Sequence, residues 1–305
     1  MGNGTLMLPT PDFRSIPAFS WERLNIGAKL TGGACFPSTP SQAASWASKL
    51  HRGGYRAVGL HHLDIPAQEW GLSLERVAWL LMACARKGIA GFIEFRSQKP
   101  WNEQYVSQLC KLPNVVAASP SNEDIDDHFD ERSEFVRKHG FGGKLFRSNA
   151  GIQGGEFGDL EDCHIYTGYP RIWETGKWFF DCKYPEWSDT LERKSDLDLI
   201  VTECGTLYPN PQRYESDVAI YQRCLDLGAK VVMPFALCTN EWDWNAGGKI
   251  GRDWFSYSND PQRMDAVSWL ASKLLGVPFV PHTGDAAMRY APEMIFNTSP
   301  TFKVG

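Results

Sequence analysis

Eight short apolar runs alternate with amphipathic, capped segments along this 305-residue chain, and few architectures accommodate that rhythm. The runs read as buried strands at Leu24–Leu30, Arg56–Leu60, Ile89–Phe95, Asn114–Ala118, Lys144–Phe146, Asp162–Tyr166, Asp198–Thr202 and Lys230–Phe235. Between them lie helix signals. Thr39-Pro40 supplies an N-cap and a first-turn proline before Ser41–Arg52. Ser73 caps Leu74–Lys87, which Gly88 ends. Asp124–His139 stops at Gly140, Tyr214–Leu227 at Gly228, and Pro261–Leu275 at Gly276. Each helix meets an apolar strand within a few residues, which is how β/α units are built.

Eight such units predict an α/β fold, a single closed (β/α)8 TIM barrel. An open doubly wound sheet would need a glycine-rich phosphate turn, and Gly27-Ala-Lys-Leu-Thr-Gly-Gly matches that pattern poorly. The expected organisation is an N-terminal extension over 1–23, the barrel over 24–276 and an extended tail over 277–305. That tail holds Pro278, Pro281, Pro292 and Pro300 without helical periodicity. It is expected to pack on the barrel or to contact a protein partner.

Composition narrows the function classes. Hydrophobic content of 43% and charged content of 22% describe an ordinary globular protein. A net charge of -5 without a Lys/Arg-rich run argues against nucleic-acid or anionic-membrane partners. No apolar stretch reaches the roughly 18 residues of a membrane span. Met1-Gly-Asn-Gly-Thr-Leu-Met-Leu-Pro lacks a basic start and a sustained apolar stretch, so no signal peptide is expected. The location expected is cytoplasmic or virion-associated, or secreted if a leader has been removed. Eight cysteines, among them Cys84, Cys163, Cys204 and Cys238 in or beside predicted elements, form no Cys-x-x-Cys pair. They read as reduced thiols rather than a zinc site or disulfide framework.

Two glutamates carry the chemistry. Glu123 follows Asn114-Val-Val-Ala-Ala-Ser-Pro-Ser-Asn, and Glu203 follows Leu197-Asp-Leu-Ile-Val-Thr. Each stands where its predicted strand gives way to a loop. In a parallel barrel all such ends open on one face, so the two carboxylates can meet across one cleft. Paired carboxylates are the equipment for glycosidic bond cleavage. Glu94 and Glu241 are further rim carboxylates able to replace one of the pair. Trp242 and Trp244, after the last strand, suit a stacking platform for a sugar ring, and Trp70, Trp101, Trp173 and Trp178 lie in other predicted loops. His61 and His62, with Asp64 and His164, raise a metal-hydrolase alternative. Adjacent strand residues face opposite ways unless the strand has ended there, so rim histidines that bind sugar are preferred and no metal is expected.

These residues resemble the clan A glycoside hydrolases, and most closely the cellulase-like barrels of family 5. The likeness rests on Asn122-Glu123 after the fourth strand, His164-Ile-Tyr166 on the sixth, Thr202-Glu203 ending the seventh, and Gly54-Tyr-Arg-Ala-Val-Gly-Leu-His-His-Leu-Asp64 at the second. It implies Glu123 as acid/base, Glu203 as nucleophile, Asn122 as a donor to the sugar 2-hydroxyl and Tyr166 as the partner orienting Glu203. The family pattern carries an arginine on the second strand where this chain has Gly59, and Arg96 or Arg147 is expected to supply that cation. The reading is therefore a retaining glycoside hydrolase acting on a β-linked saccharide without a cofactor. The alternative is an inactive barrel that binds carbohydrate or serves as a structural component.

Overall fold

The protein's structure, a computed structural model, describes residues 18–31, 36–61, 73–95, 103–112, 114–120, 128–153, 155–167, 193–206, 213–235, 238–239 and 261–278. Eight strands follow one another where the apolar runs place them: β1 Asn25–Thr31, β2 Tyr55–His61, β3 Ala90–Glu94, β4 Val115–Ser119, β5 Lys144–Leu145, β6 Glu161–Thr167, β7 Leu199–Thr206 and β8 Val231–Pro234. A two-residue strand, β9 Cys238–Thr239, pairs with the end of β1. All ladders are parallel, and the neighbours run β5-β4-β3-β2-β1-β8-β7-β6. A parallel bridge between Phe146 and Leu160 joins the β5 end of that order to the β6 end. This is the (β/α)8 barrel that the alternation predicts.

The described helices are α1 Pro40–Arg52, α2 Leu74–Ala85, α3 Glu103–Leu109, α4 Phe129–Lys138, α5 Ala150–Gln153, α6 Arg213–Asp226 and α7 Pro261–Leu275. The Thr39 side chain accepts from the Gln42 amide and the Ser73 side chain from the Arg76 amide, so both sequence-read caps form. Gly88 and Gly228 follow their helices at φ +69° and +76°, a left-handed turn that a side chain would strain. Among the described residues no helix is long and apolar enough to cross a membrane. Cys84, Cys110, Cys163, Cys204 and Cys224 are free and buried. Burial pushes the Cys84 and Cys110 thiols up to about 12, which keeps them inert at neutral pH.

Strand alternation sorts the core into two shells. Ile26, Ala28, Leu30, Val58, Leu60, Ile93, Ala118, Cys163, Val201 and Val232 belong to the larger cluster, shared with helix residues such as Leu50, Leu81 and Leu270. The opposite face supplies a second, inner cluster of Ala57, Ala90, Phe92, Ala117, Phe146, Leu160, Ile200, Val231 and Met233. Phe19 and Trp21 pack against this inner cluster, with ring centroids 5.0 Å apart and Trp21 5.9 Å from Phe92. The Lys144 ammonium, at the start of β5, stands 4.7 Å over the Trp21 ring, which places that plug at the amino-terminal mouth. One end of the barrel is thus sealed with aromatic rings, and the other is left for polar side chains.

A buried ion pair ties the carboxyl ends of β7 and β8 to the helices outside. The Arg263 Nε of α7 donates to Asp217 Oδ2 of α6 at 3.1 Å, and its Nη2 donates to the Phe235 carbonyl at 2.7 Å. Asp217 Oδ1 accepts from the Thr206 amide at 2.6 Å. Burial pushes the Asp217 carboxyl above its ordinary value, and Arg263 and Thr206 counteract that push only in part. Removing the carboxylate strands a buried guanidinium, so Asp217→Ala should lower unfolding free energy by about 3–5 kcal/mol in urea titration. A loss below about 1 kcal/mol would show that the pair is not the fastening described.

Candidate active site at the carboxyl end of the barrel

Above the apolar inner cluster, the same inward-facing register positions become polar. Lys29 follows Gly27 on β1, His61 follows Ala57 and Gly59 on β2, and Glu94 follows Ala90 and Phe92 on β3. On β6, Asp162 and His164 follow Leu160. All five of these side chains are buried. The barrel wall therefore carries its ionisable groups toward one mouth, where parallel strands point their carboxyl ends.

Glu203 reaches this layer through an irregularity. On β6, Asp162 pairs with Ile200 and His164 with Glu203, so two steps on β6 oppose three on β7. The same extra residue appears against β8, where Val201 pairs with Val232 and Cys204 with Pro234. Strict alternation from inward Ile200 would send Glu203 outward. The bulge turns Thr202 and Glu203 inward together and leaves Val201 and Cys204 in the outer shell. The strand does not end at Thr202-Glu203, as the sequence suggests, but continues to Thr206.

Three basic side chains flank Glu203. The Lys29 ammonium lies 3.3 Å from Glu203 Oε1 and 2.5 Å from Glu94 Oε1. His61 Nδ1 lies 2.8 Å from Glu94 Oε2 and 3.4 Å from Glu203 Oε1, so this nitrogen carries a proton toward two acceptors. His164 Nδ1 lies 3.5 Å from Glu203 Oε2. On its other side, His164 Nε2 stands 3.1 Å from both Ser148 Oγ and Thr202 Oγ1. The Thr202 hydroxyl donates to Asp162 Oδ2 at 2.9 Å, so it can only accept from His164. Asp162 also takes the Thr202 and Asn149 amides at 3.0 and 2.9 Å, and Asn149 Oδ1 takes the His164 amide at 2.8 Å. Asn149 holds a left-handed φ of 61° to do so. The imidazole is fixed from both ends.

Burial alone would pull the Lys29 ammonium down, but the charges of Glu94 and Glu203, the Glu94 hydrogen bond and Asp162 outweigh it and hold it above 10.5. Lys29 is therefore a permanent cation inside the barrel. Glu94 is fully buried against Lys29 and His61, whereas Glu203 keeps 5% of its surface exposed. His61, Glu94 and Glu203 each present a ligand atom within 4.8 Å of the others, a spacing that could hold a metal ion. The Lys29 ammonium already sits between the two carboxylates, so a divalent ion there would face a fixed positive charge. The donor set does not fit a metal while Lys29 is in place.

By sequence, no family model and no curated protein matches the chain. Similarity appears in three dimensions. A thermostable, halotolerant GH5 cellulase from an Icelandic hot spring isolate superposes with a TM-score of 0.55 at 13% identity, covering 86% of this chain and 91% of its own. A family 5 glycoside hydrolase from Bacteroides vulgatus gives 0.56 at 14%, covering 84% and 69%. The endo-1,4-β-mannanase of Rhizomucor miehei gives 0.54 at 12%, covering 82% and 94%. The chain has the fold of the clan A glycoside hydrolases. At these identities the likeness is one of fold.

Within that clan A fold, the structure brings together Glu203, His61 and His164 from the sequence reading. Tyr166 stands on β6, with its backbone paired to Gly205. Glu123, Asn122, His62, Arg96, Trp242, Trp244 and Glu241 lie outside the described residues. Arg147 lies over the Phe129 ring at 5.6 Å. Among the described residues, the basic side chains within 3.5 Å of Glu203 are Lys29, His61 and His164. Among the described residues the cation beside Glu203 is Lys29, which sequence reasoning missed; the expectation for Arg96 falls outside them. The sequence shows it only as a lysine two residues after Gly27 on a predicted strand, without its partners.

A Lys29 pKa held above 10.5 sets the sign of its pH linkage. The contribution is complete below 10.5 and disappears as pH climbs through the folded-state value. Lys29→Met should cost about 3–5 kcal/mol at neutral pH by leaving buried carboxylates without their cation. The gap between wild type and variant in denaturant titrations should stay level up to pH 10.5 and narrow above it. A gap that stays level well above pH 10.5 would contradict this assignment.

Proposed function

We propose that the protein is a retaining glycoside hydrolase acting on a β-linked oligo- or polysaccharide. The observation that carries this reading is Glu203, turned inward by a strand bulge toward the carboxyl end of the barrel and set among Lys29, His61 and His164. A carboxylate set among an ammonium and two imidazoles is aimed by them, which suits a nucleophile at an anomeric carbon.

In this scheme Glu203 forms a bond to the anomeric carbon as the glycosidic carbon–oxygen bond breaks, and Glu123 gives its proton to the departing oxygen. Glu123 then takes a proton from water. That water attacks the anomeric carbon and releases Glu203. Asn122 donates to the sugar 2-hydroxyl, and Tyr166 orients Glu203. His62 lines the rim, His61 and His164 support Glu203 from within the wall, and Trp242 and Trp244 stack on sugar rings. Glu94, wholly buried and committed to Lys29 and His61, is a supporting carboxylate and not the proton donor. No cofactor takes part, and no metal does while Lys29 keeps its place.

The test is chemical. A 2-deoxy-2-fluoro β-glycoside with a dinitrophenolate leaving group should trap a glycosyl ester, and peptide mass mapping should place it on Glu203. Glu203→Gln should abolish labelling and reduce aryl glycoside hydrolysis by at least about 10³-fold, as expected for loss of a covalent nucleophile. Turnover that survives Glu203→Gln undiminished would end this assignment. Unchanged saccharide affinity with no turnover in either protein would favour a binding barrel.

A further inference from the structure

We propose that Arg263, outside the barrel wall, is a positioning residue for Glu203, and that Gly205 is the gap through which it acts. The inference rests on the glycosidase reading and adds to it the device that sets the nucleophile in place.

Arg263 lies on α7 with 1% of its surface exposed, and its guanidinium spans two strands. Toward β8, Nη2 donates to the Phe235 carbonyl at 2.7 Å. Toward β7, Nε donates to Asp217 Oδ2 at 3.1 Å, and Asp217 Oδ1 takes the Thr206 amide at 2.6 Å. The Phe235 amide in turn donates to the Cys204 carbonyl at 2.8 Å. These bonds form a clasp around Cys204, Thr206 and Phe235. A guanidinium suits it, because its planar fork donates in two fixed directions at once and an ammonium group does not. Were Arg263 present only to fasten α7 to α6, the Asp217 contact would suffice.

Gly205 makes room for the clasp. Its φ of +134° is one that a side chain would strain, and a Cβ there would lie 2.6 Å from Arg263 Nη2 and 3.4 Å from Asp217 Oδ1. Cys204 already belongs to the outer shell, so the inward pair Thr202-Glu203 is followed by two positions turned toward the helices. A bulge leaves its extra residue outside the ladder, and the clasp anchors β7 again directly beyond it.

Two routes lead from Arg263 to Glu203. One runs along β7, where Glu203 stands two residues before Gly205. The other runs through β8. The Phe235 ring meets His61 edge-on with centroids 6.3 Å apart, and His61 Nδ1 lies 3.4 Å from Glu203 Oε1. One guanidinium thus sets the carboxylate through its own backbone and through its neighbour.

Three variants test this. Arg263→Lys keeps the charge but not the fork. Gly205→Ala keeps both charges and crowds the guanidinium. Arg137→Met breaks the pair with Asp159 near the start of β5 and serves as the control for stability loss. Each is read by thermal melt, by kcat and KM on dinitrophenyl β-glycosides, and by a crystal structure. In Arg263→Lys and Gly205→Ala the Glu203 carboxyl should move by about 1 Å, with kcat down about a hundredfold and KM within about threefold. Arg137→Met should keep wild-type kcat whatever it loses in melting temperature.

Wild-type kcat in either folded clasp variant, a kcat loss with the Glu203 carboxyl unmoved, or a like loss in Arg137→Met overturns the proposal. So does failure of both clasp variants to fold, which assigns Arg263 to stability alone. Absence of turnover on every glycoside by the wild-type protein defeats the glycosidase reading instead. The Glu203 carboxyl, moved or unmoved in the two clasp variants, would still decide what Arg263 does.

Discussion

A lysine ammonium enclosed in a barrel is expensive to desolvate, and the polar end of this molecule is organised around compensating it. Lys29 has no surface exposure, yet two carboxylates within 3.3 Å hold it charged. Each carboxylate in turn needs polar neighbours: His61 Nδ1 approaches both, and His164 Nδ1 stands 3.5 Å from Glu203. His164 then needs Thr202, Ser148 and Asp162 to fix its ring. The chain of necessity runs around the mouth from β1 to β7. A partly satisfied network of this kind would be worse than an apolar core, so its members stand or fall together.

The opposite end of the barrel is built on another principle. Phe19, Trp21, Phe92 and Phe146 close it with edge-on and tilted rings, and Met233 fills the centre above them. This apolar floor excludes water from beneath the charged layer. Low polarity below strengthens every electrostatic contact above, including those on Glu203. A floor of aromatic rings and a ceiling of charges are therefore parts of one arrangement.

Much of this was legible in the sequence because it depends on local rules. Thr39-Pro40, Ser73, Gly88 and Gly228 mark helix ends through backbone chemistry that acts within a few residues. The eight apolar runs locate the strands because burial on two faces demands them. The polar layer was harder. Glu203 and the histidines were visible as residue types at strand ends, but Lys29 was not: its role depends on Glu94 and Glu203, distant in sequence and adjacent only after the sheet forms. The β7 bulge was invisible for a related reason. Nothing in Val201-Thr-Glu-Cys204 departs from strand chemistry, and the extra residue exists only relative to β6 and β8.

That bulge has a consequence for how densely a strand can be equipped. A regular strand gives each wall of a barrel every second residue, so functional groups on one wall stand two residues apart. In β7, Thr202 and Glu203 are consecutive and serve the same interior, while Leu199, Val201 and Cys204 still present apolar groups to the helices. Because the insertion is felt against both neighbours, it is a property of β7 alone, and β6 and β8 keep their own pairing on either side. The strand thus writes two inward letters in the space of one, without disturbing the text that its outer face presents to the helices.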